Sequence, residues 1–405
     1  MATKAVNPAP AGTTTGNINT LNFNQSAAIL NEIKAQATGI KGPAPINTAE
    51  FVTVGQTALQ CGYDPLLNAI SQVLGRTIFA IRPYNAKFTG IEMSETQFGN
   101  WTRKMNISDT DVEDEIGVEL TDGQSVDQYK VKKPIITEVG FYGQNAVMYQ
   151  APTIFKDQLN VAFSGPEQFA EFLQMIVTND NNMIQQKREN SLRATVTNLV
   201  GGTIAAAGMN VIHLLTEYNA ATGQNLTGTS VMAPDNYPAF MRWVTGRIET
   251  LQDQLEERST LFHKSITGKP LMRFTPRRDQ RVYLLAKYVN DAFANAMSVT
   301  FHDNLTRFPG TFEKVGFWQS LEQPDAIDVT ASYMNDAGVI VTGAVNVNNV
   351  FGVIFDRDAA GWNAYGEWNA FTPFNARGGY TNQFYHWKDR YYNDFTENVV
   401  VLQLD

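Results

Sequence analysis

The sequence predicts an α+β chain whose helical and strand-rich parts interleave, and three observations carry that prediction. One continuous helical pattern runs from Ser164 to Gly202, far above the usual helix length. Short runs of strand type, separated by turn signals, lie on both sides of it, before Phe155 and after Val315. The chain closes with QFYHWKDRYYNDFTENVVVLQLD, a crowd of aromatic and charged residues that only a partner element can order at a terminus.

In chain order, residues 1–60 alternate polar, Pro-rich and Gly-rich pieces with one weak helix, FNQSAAILNEIKAQATG. The opening tail and Gly39–Thr48 are too polar to order themselves. A compact helix follows in DPLLNAISQVLGRTI, with Leu66, Leu67, Ile70, Val73 and Leu74 at helical spacing. From Pro83 to Phe155, the runs EIGVEL, YKVKKPIITEVGFYG and NAVMYQAPTIF read as strands, with Asp122-Gly123 as a turn. This stretch predicts an extended two-stranded arm. A strand run of ~20 residues reaches roughly 65 Å, against a radius of gyration of roughly 21 Å for a compact chain of this length. Such an arm needs a neighbour to lie on.

The long helix is expected to open on Ser164 and Glu167 in capping-box spacing, with Pro166 in its first turn, and to stop at Gly201-Gly202. Phe169, Phe172, Leu173, Ile176 and Val177 form one apolar stripe, whereas NDNNMIQQKREN is polar nearly all round. A second helix, PAFMRWVTGRIETLQDQLEERS, turns Phe240, Val244, Ile248, Leu251 and Leu255 inward. QRVYLLAKYVNDAFANAMS reads as a strand running into a helix, and VGFW, AIDVTAS, GVIVTGAV and VFGVIFD as strands between turns.

At 405 residues and 43% apolar content the chain can bury a large core, spread over two or three domains. A net charge of −9, from 31 basic and 40 acidic residues, argues against a surface that grips nucleic acid. The single cysteine, Cys61, excludes an internal disulfide framework and suits a reducing compartment. The N-terminus lacks a signal-type apolar core, and Leu199–Leu215, the best membrane candidate, carries Asn210 and His213 and falls short of a ~20-residue span. It reads as a buried small-residue connection, and the product as soluble and cytosolic.

No phosphate-binding loop, dinucleotide fingerprint, zincin helix or nucleophile elbow occurs. His213, His263, His302 and His386 are isolated, and Cys61 has no activating neighbour in sequence, so core or interface roles are the simpler reading. The acidic run Asp109, Asp111, Glu113, Asp114 and Glu115 lacks the Gly and the distal Glu of a calcium loop and fits a solvated tip. Asp356 and Asp358 are expected on one face of a strand with Arg357 on the other, an ion pair across a strand edge or subunit seam rather than a metal site. Neither a catalytic residue nor a cofactor nor a metal is expected.

The order of N-terminal arm, acidic hairpin and spine helix opened by AFSGPEQFAEFLQMI resembles the tailed-phage major capsid proteins, nearest to short-tailed phages of the phi-twenty-nine type. The tail adds to the resemblance through Asp356-Arg357-Asp358, then Asn375, Arg377, Gly378 and Tyr380, then Tyr385-His386-Trp387. The resemblance covers about 90% of the chain by order of elements. It is loose in Asn198–Ser230, and no added C-terminal domain is present.

The resemblance implies the Hong Kong phage capsid fold. Its parts would be residues 1–82 as N-terminal arm and helix, 83–155 as extended loop and 156–205 as peripheral domain with the spine helix. Residues 206–350 would be the axial domain and 351–405 the closing strands of the peripheral domain. Phe169, Phe172, Leu173 and Ile176 would form the spine-helix core. Trp101, Lys130, Lys132, Lys133, Asp356, Arg357, Asp358 and Arg390 would lie at inter-subunit contacts. Phe384, Tyr385, Trp387, Tyr391 and Phe395 would pack beside the spine helix in the last strand, with Lys388, Asp389, Arg390 and Asp394 at its wet face or meeting the next subunit.

The implied function is assembly into the hexamers and pentamers of an icosahedral head that encloses double-stranded DNA without reading its sequence. Implied partners are further copies of the chain, a scaffolding protein, a portal and minor capsid or decoration proteins, with no membrane. An encapsulin-type nanocompartment shell is the alternative. A lysine of the extended loop joined covalently to a neighbour is a further reading, for which the sequence identifies no partner residue.

Overall fold

The computed structural model describes residues 23–60, 62, 65, 66, 69, 86–93, 101–107, 121–125, 129, 131, 133, 135–142, 145–206, 208, 210–265, 271–291, 312–335 and 337–405. Cys61, Lys130, Lys132, His302, the acidic run 109–115, the expected strand 115–120 and most of the expected helix over 64–78 lie outside them.

The described helices are α1 (Phe23–Thr38), α2 (Thr48–Gln60), α3 (Lys156–Ala162), α4 (Pro166–Ala205), α5 (Leu214–Thr222), α6 (Gly228–Val231) and α7 (Tyr237–Glu256). The first strands are β1 (Trp101–Ile107), β2 (Ile136–Tyr142), β3 (Asn145–Gln150), β4 (Ile154–Phe155), β5 (Val211–His213), β6 (Gln280–Leu285) and β7 (Glu313–Val315). The second half adds β8 (Ile327–Met334), β9 (Ile340–Val347), β10 (Val350–Asp356), β11 (Ala360–Phe371), β12 (Tyr380–Thr381), β13 (Gln383–Asn393) and β14 (Val399–Gln403). They form a five-stranded sheet in the order β5-β14-β10-β6-β7, a three-stranded sheet β11-β13-β3, and the pairs β1-β2, β8-β9 and β12-β4.

The chain divides into two compact units. One comprises residues 1–85, 148–187 and 367–386, the other residues 86–147, 188–366 and 387–405. Both therefore draw on distant parts of the sequence.

The first unit is built on the front half of α4. Phe169, Phe172, Leu173 and Ile176 are buried with Leu30, Ile33, Phe51, Leu159 and Phe163 in one apolar cluster. The Phe51 ring meets Phe169 edge-on at 5.7 Å, and Phe163 stacks on Phe169 at 5.5 Å. The α2 helix is not expected from the sequence pattern, yet its start is explicit. Asn47 Oδ1 accepts the Glu50 N–H at 2.9 Å while Glu50 Oε2 accepts the Ile46 N–H at 3.1 Å, which satisfies donors that a helix start leaves open. The Asn375–Tyr380 turn also lies in this unit. Asn375 Oδ1 accepts the N–H groups of Arg377 and Gly378, and Gly379 takes φ +66°, which a side chain would strain.

The second unit is organised by the five-stranded sheet. Its central β10 is antiparallel to β14 and β6, while the outer pairs β14-β5 and β6-β7 are parallel. Every residue of β10 is buried, as are Val399–Leu402 of β14. Strands covered on both faces read as unbroken apolar runs, which VFGVIF and VVVL are. The α7 stripe Phe240, Val244, Ile248, Leu251 and Leu255 is buried in the same core.

The α4 helix departs from expectation at both ends. The Ser164 hydroxyl donates to the Val161 carbonyl at 2.6 Å, so it caps α3 rather than opening α4, and Pro166 is the first helical residue. At the far end the helix runs through Gly201-Gly202 to Ala205, 40 residues or about 60 Å. The glycines are there for close approach. A Cβ on Gly201 would lie 2.7 Å from Val329 Cγ2, and one on Gly202 2.7 Å from Phe395 Cζ.

The closing stretch differs as well. The aromatic segment is β13, not the last strand; β14 follows it and lies inside the five-stranded sheet between β5 and β10. Asp389, Arg390 and Asp394, expected at a wet face, are 1%, 3% and 1% exposed. Their partners come from far away in sequence: Ser191 donates to Asp389 at 3.0 Å, the Arg390 guanidinium lies 4.8 Å from the Tyr365 ring centre, and Lys104 bonds Asp394 at 2.6 Å. Lys388 does stay exposed.

Candidate functional site

With no catalytic constellation to follow, the surfaces that could bind another protein chain are the candidate site. The most distinctive is the β1-β2 ribbon. Its strands pair from Trp101↔Tyr142 to Ile107↔Ile136, antiparallel and without a bulge, over about 23 Å. Alternate side chains of a ribbon face opposite sides, and here apolar ones face solvent: Met105, Ile107 and Ile136 are 58%, 64% and 56% exposed. Further along the same connection Tyr129 and Val131 are exposed, and Lys133 with them. Exposed apolar groups gathered on one ribbon face mark an interaction surface.

The other face of this ribbon lies on its own unit through polar, buried contacts. Lys104 Nζ bonds Asp394 and Glu397, Arg273 Nη2 lies 3.5 Å from Glu397 and donates to Asn106 Oδ1 at 2.7 Å, and Phe141 packs on Tyr392 at 4.7 Å. Burial pushes the Glu397 carboxyl up, against the lowering pull of Lys104 and Arg273. Sequence reading missed this cluster. Its one signal was a Lys within an alternating strand pattern and an acidic pair, Asp394 and Glu397, beside the closing strand.

A second feature lies on β13 in the first unit. One face turns toward α4, where Asp180 accepts bonds from Tyr149 at 3.2 Å and Tyr385 at 3.3 Å. Burial raises the Asp180 carboxyl, and burial followed by the nearby Asp180 charge raises Tyr149 to about 12. The opposite face carries His386 stacked on Trp368, ring centres 3.9 Å apart, with Trp368 57% exposed.

The residues expected at subunit contacts separate into distinct fates. Trp101 is the first residue of β1, and Lys133 is exposed beyond the ribbon. Asp356 is buried: it ends β10, accepts the Thr275 hydroxyl at 2.7 Å and accepts the Asp358 N–H at 2.8 Å. Asp356 and Asp358 therefore do not share a strand face, because residues 357–359 form the turn into β11. Arg357 and Asp358 are exposed there, with Arg357 Nε 3.5 Å from Asp358 and Nη1 3.7 Å from Asp279. Arg390 is buried within its own unit over Tyr365.

His213 Nδ1 meets the Asp405 carbonyl, and His263 is buried between Asn398 and the Leu271 carbonyl. Among the described residues, no group of three or more His, Cys, Asp and Glu side chains is arranged to hold a metal ion, and no helix is long and apolar enough to cross a membrane.

Comparison with known proteins bears on these surfaces. The profile of the family described as Phi29-like phage major capsid protein matches residues 27–403. No curated protein matches with significant sequence similarity. Among solved structures, a chain in the structure of head fiber and inner core protein gp22 of native bacteriophage P68 is similar in fold. It has a TM-score of 0.51 at 10% identity, covering 81% of this chain and 87% of that one. The capsid structure of Staphylococcus phage Andhra gives 0.49 at 10% identity over 81% and 87%. That of the Cyanophage P-SCSP1u gives 0.47 at 11% over 81% and 90%. The family match spans nearly the whole described chain, both compact units included, and on that ground the chain belongs to the Phi29-like phage major capsid proteins.

Proposed function

We propose that this capsid subunit adopts the Hong Kong phage arrangement and closes, as hexamers and pentamers, into an icosahedral head around double-stranded DNA. In that arrangement residues 1–82 are the N-terminal arm, 83–155 the extended loop, and 156–205 the peripheral domain with α4 as its spine. Residues 206–350 are the axial domain, and 351–405 return to the peripheral domain. The observation that carries this reading is the β1-β2 ribbon, with Met105, Ile107 and Ile136 exposed along it. Head-to-tail contact between identical copies closes rings, and a ribbon laid on the next copy adds contact area without enlarging the core. Obligate contacts of this kind bury roughly 2,000–5,000 Å².

The chain's acidity fits a lining that leaves packaged DNA mobile. Assembly would take place in the host cytoplasm with a scaffold, a portal and minor capsid or decoration proteins as partners. Trp101, Lys130, Lys132, Lys133, Arg357 and Asp358 remain the proposed inter-subunit contacts.

The test is deletion of residues 108–135, joining Ile107 to Ile136 through an Asn-Gly turn. This spares the paired strands, and also residues 86–93 and β4, which belong to the body. Electron microscopy should show soluble subunits or capsomers in place of closed shells. Normal shells from the deletion would refute the role given to the loop between the two strands. Normal shells from the triple substitution Met105→Ser, Ile107→Ser and Ile136→Ser would refute the role given to the ribbon, and shells filled with protein instead of DNA would favour a nanocompartment.

A further inference from the structure

The β1-β2 ribbon forms a sheet of its own, hydrogen-bonded to no third strand among the described residues. A two-stranded ribbon is marginal alone, so its order depends on side chains that tie it to the body. Three ties run along its length: Phe141 to Tyr392 near its start, Lys104 to Asp394 and Glu397 at its middle, and Asn106 to Arg273 near its far end. The middle one is distinct in kind. Asp394 and Glu397 sit on one turn with side chains 1% and 11% exposed, and carboxylates so far out of water stay charged only beside cations.

Two cations meet them from different elements. Arg273 belongs to the body, held by the Thr396 carbonyl at 3.1 Å as well as by Glu397. Lys104 belongs to the ribbon. Asp394 is otherwise fixed inside its own turn, its Oδ1 accepting the Thr396 N–H at 2.9 Å and hydroxyl at 2.6 Å. If Lys104 leaves, the turn keeps Arg273 and its internal bonds, while the ribbon loses its charged anchor.

We propose that Lys104, Asp394 and Glu397 form a charge clasp whose opening loosens the ribbon while the body stays folded. The clasp holds the middle of the ribbon against its own unit, and opening it leaves the Asn106–Arg273 bond and the Phe141–Tyr392 contact to order the ribbon. Acid is the natural trigger. The titratable and charged groups facing Glu397 are Lys104 from β1, Arg273 from the segment before β6, Tyr392 from β13 and Asp394 from the turn itself; His263 borders Arg273 and Asp394. Burial pushes the Glu397 carboxyl up, so falling pH neutralises it sooner than an ordinary glutamate and weakens the charge facing Lys104.

The test reads amide hydrogen exchange in the full-length unassembled subunit, corrected for the intrinsic rate, at pH 7.5 and pH 5. It does not depend on shell closure. Lys104→Met should speed exchange of β2 amides by roughly tenfold or more while β10 and α7 keep wild-type protection. Lys104→Arg, which keeps the charge, should restore most of it, and Arg103→Gln on the same strand should change little, since its pair with Glu138 is half exposed. In the wild type, β2 should exchange faster at pH 5 than at pH 7.5, and Glu397→Gln should remove that difference. Wild-type protection in Lys104→Met, or equal acceleration of β10 and β2, would overturn the proposal. So would a pH difference that survives Glu397→Gln. Should Lys104→Met fail to fold, a flat wild-type response between the two pH values overturns it alone.

Discussion

Gly202→Ala tests why α4 does not stop where its sequence says it should. Alanine is a better helix former than glycine by about 1 kcal/mol, so at a helical site with room it stabilises. At Gly202 there is no room. The added Cβ would lie 2.7 Å from Phe395 Cζ, 3.0 Å from Cε1 and 3.1 Å from Tyr333 Cβ. Ordinary carbon contacts need 3.5–4.0 Å, so the ring must retreat by about 1 Å. Phe395 cannot retreat freely, because its carbonyl accepts the Lys264 N–H at 2.8 Å and the flanking Asp394 and Thr396 are bonded to each other. Overpacking of this kind costs about 1–3 kcal/mol, which offsets or exceeds the propensity gain and leaves a net loss of up to about 2 kcal/mol. Gly246 on α7 is the control: a Cβ there meets nothing within 4 Å, and Gly246→Ala should stabilise by up to about 1 kcal/mol. Urea unfolding of the unassembled subunit, followed by circular dichroism, gives both midpoints. The two substitutions should move them in opposite directions, and Phe395→Leu should soften the loss at Gly202 in a double-mutant cycle. A Gly202→Ala midpoint that rises with that of Gly246→Ala would refute the close-packing account.

Two further substitutions probe buried charge. Arg193→Met should destabilise by roughly 3–5 kcal/mol in the same urea assay, because Arg193 Nη2 bonds buried Glu189 at 2.6 Å and its guanidinium covers the Phe317 ring at 3.7 Å; adding Glu189→Leu should recover most of the loss. Asp180 is raised by burial, so the folded first unit binds its proton more tightly than the unfolded chain does; its contribution is fully present in acid and is lost as pH rises through the folded-state value. Asp180→Asn should therefore flatten the fall in melting temperature as pH rises above the ordinary carboxylate range, and a variant that keeps the wild-type pH slope would contradict the assignment.

Periodicity made visible whatever depends on it. The α7 stripe, the Phe169–Ile176 stripe and the apolar runs of β10 and β14 could be read because burial imposes a fixed spacing on a local segment. The α2 helix escaped because much of its inward face is small: Gly55 and Ala58 are buried beside Phe51, and a Cβ on Gly55 would sit 3.2 Å from Phe163 Cβ. The Asn47–Glu50 capping signature was its legible trace. Gly201-Gly202 misled because a glycine pair has two meanings, a stop or a close approach, and only Val329 and Phe395, more than 100 residues away, decide between them. The charges of β13 and its following turn misled for the same reason. Asp389, Arg390 and Asp394 look wet locally, but Ser191, Tyr365 and Lys104 arrive from elsewhere to satisfy them. Of the candidate site, β2 was legible within YKVKKPIITEVGFYG, whereas its partner β1 and the buried groups around Lys104 were not.

The position of β14 has a consequence for how the subunit is made. Residues 367–386 complete the first unit and 387–405 the second, so each unit waits for the last tenth of the chain. Within the five-stranded sheet β14 is interior: β10 pairs on one side through Val353↔Val401, β5 on the other through Val401↔Val211. Removing Val399–Asp405 leaves β5 without a partner and β10 with only β6, and deletes four side chains that are at most 2% exposed. At about 1.5–3 kcal/mol each, those side chains contribute roughly 6–12 kcal/mol, comparable to the whole stability of a typical domain. The truncated chain should therefore fail to fold its second unit, seen as loss of exchange protection in β6 and β10. The first unit contains none of the removed residues, so α1 and the front of α4 should keep their protection. Protection lost equally in both units would show that they fold as one, and protection kept in β10 would show that β14 is not the strand that closes the sheet.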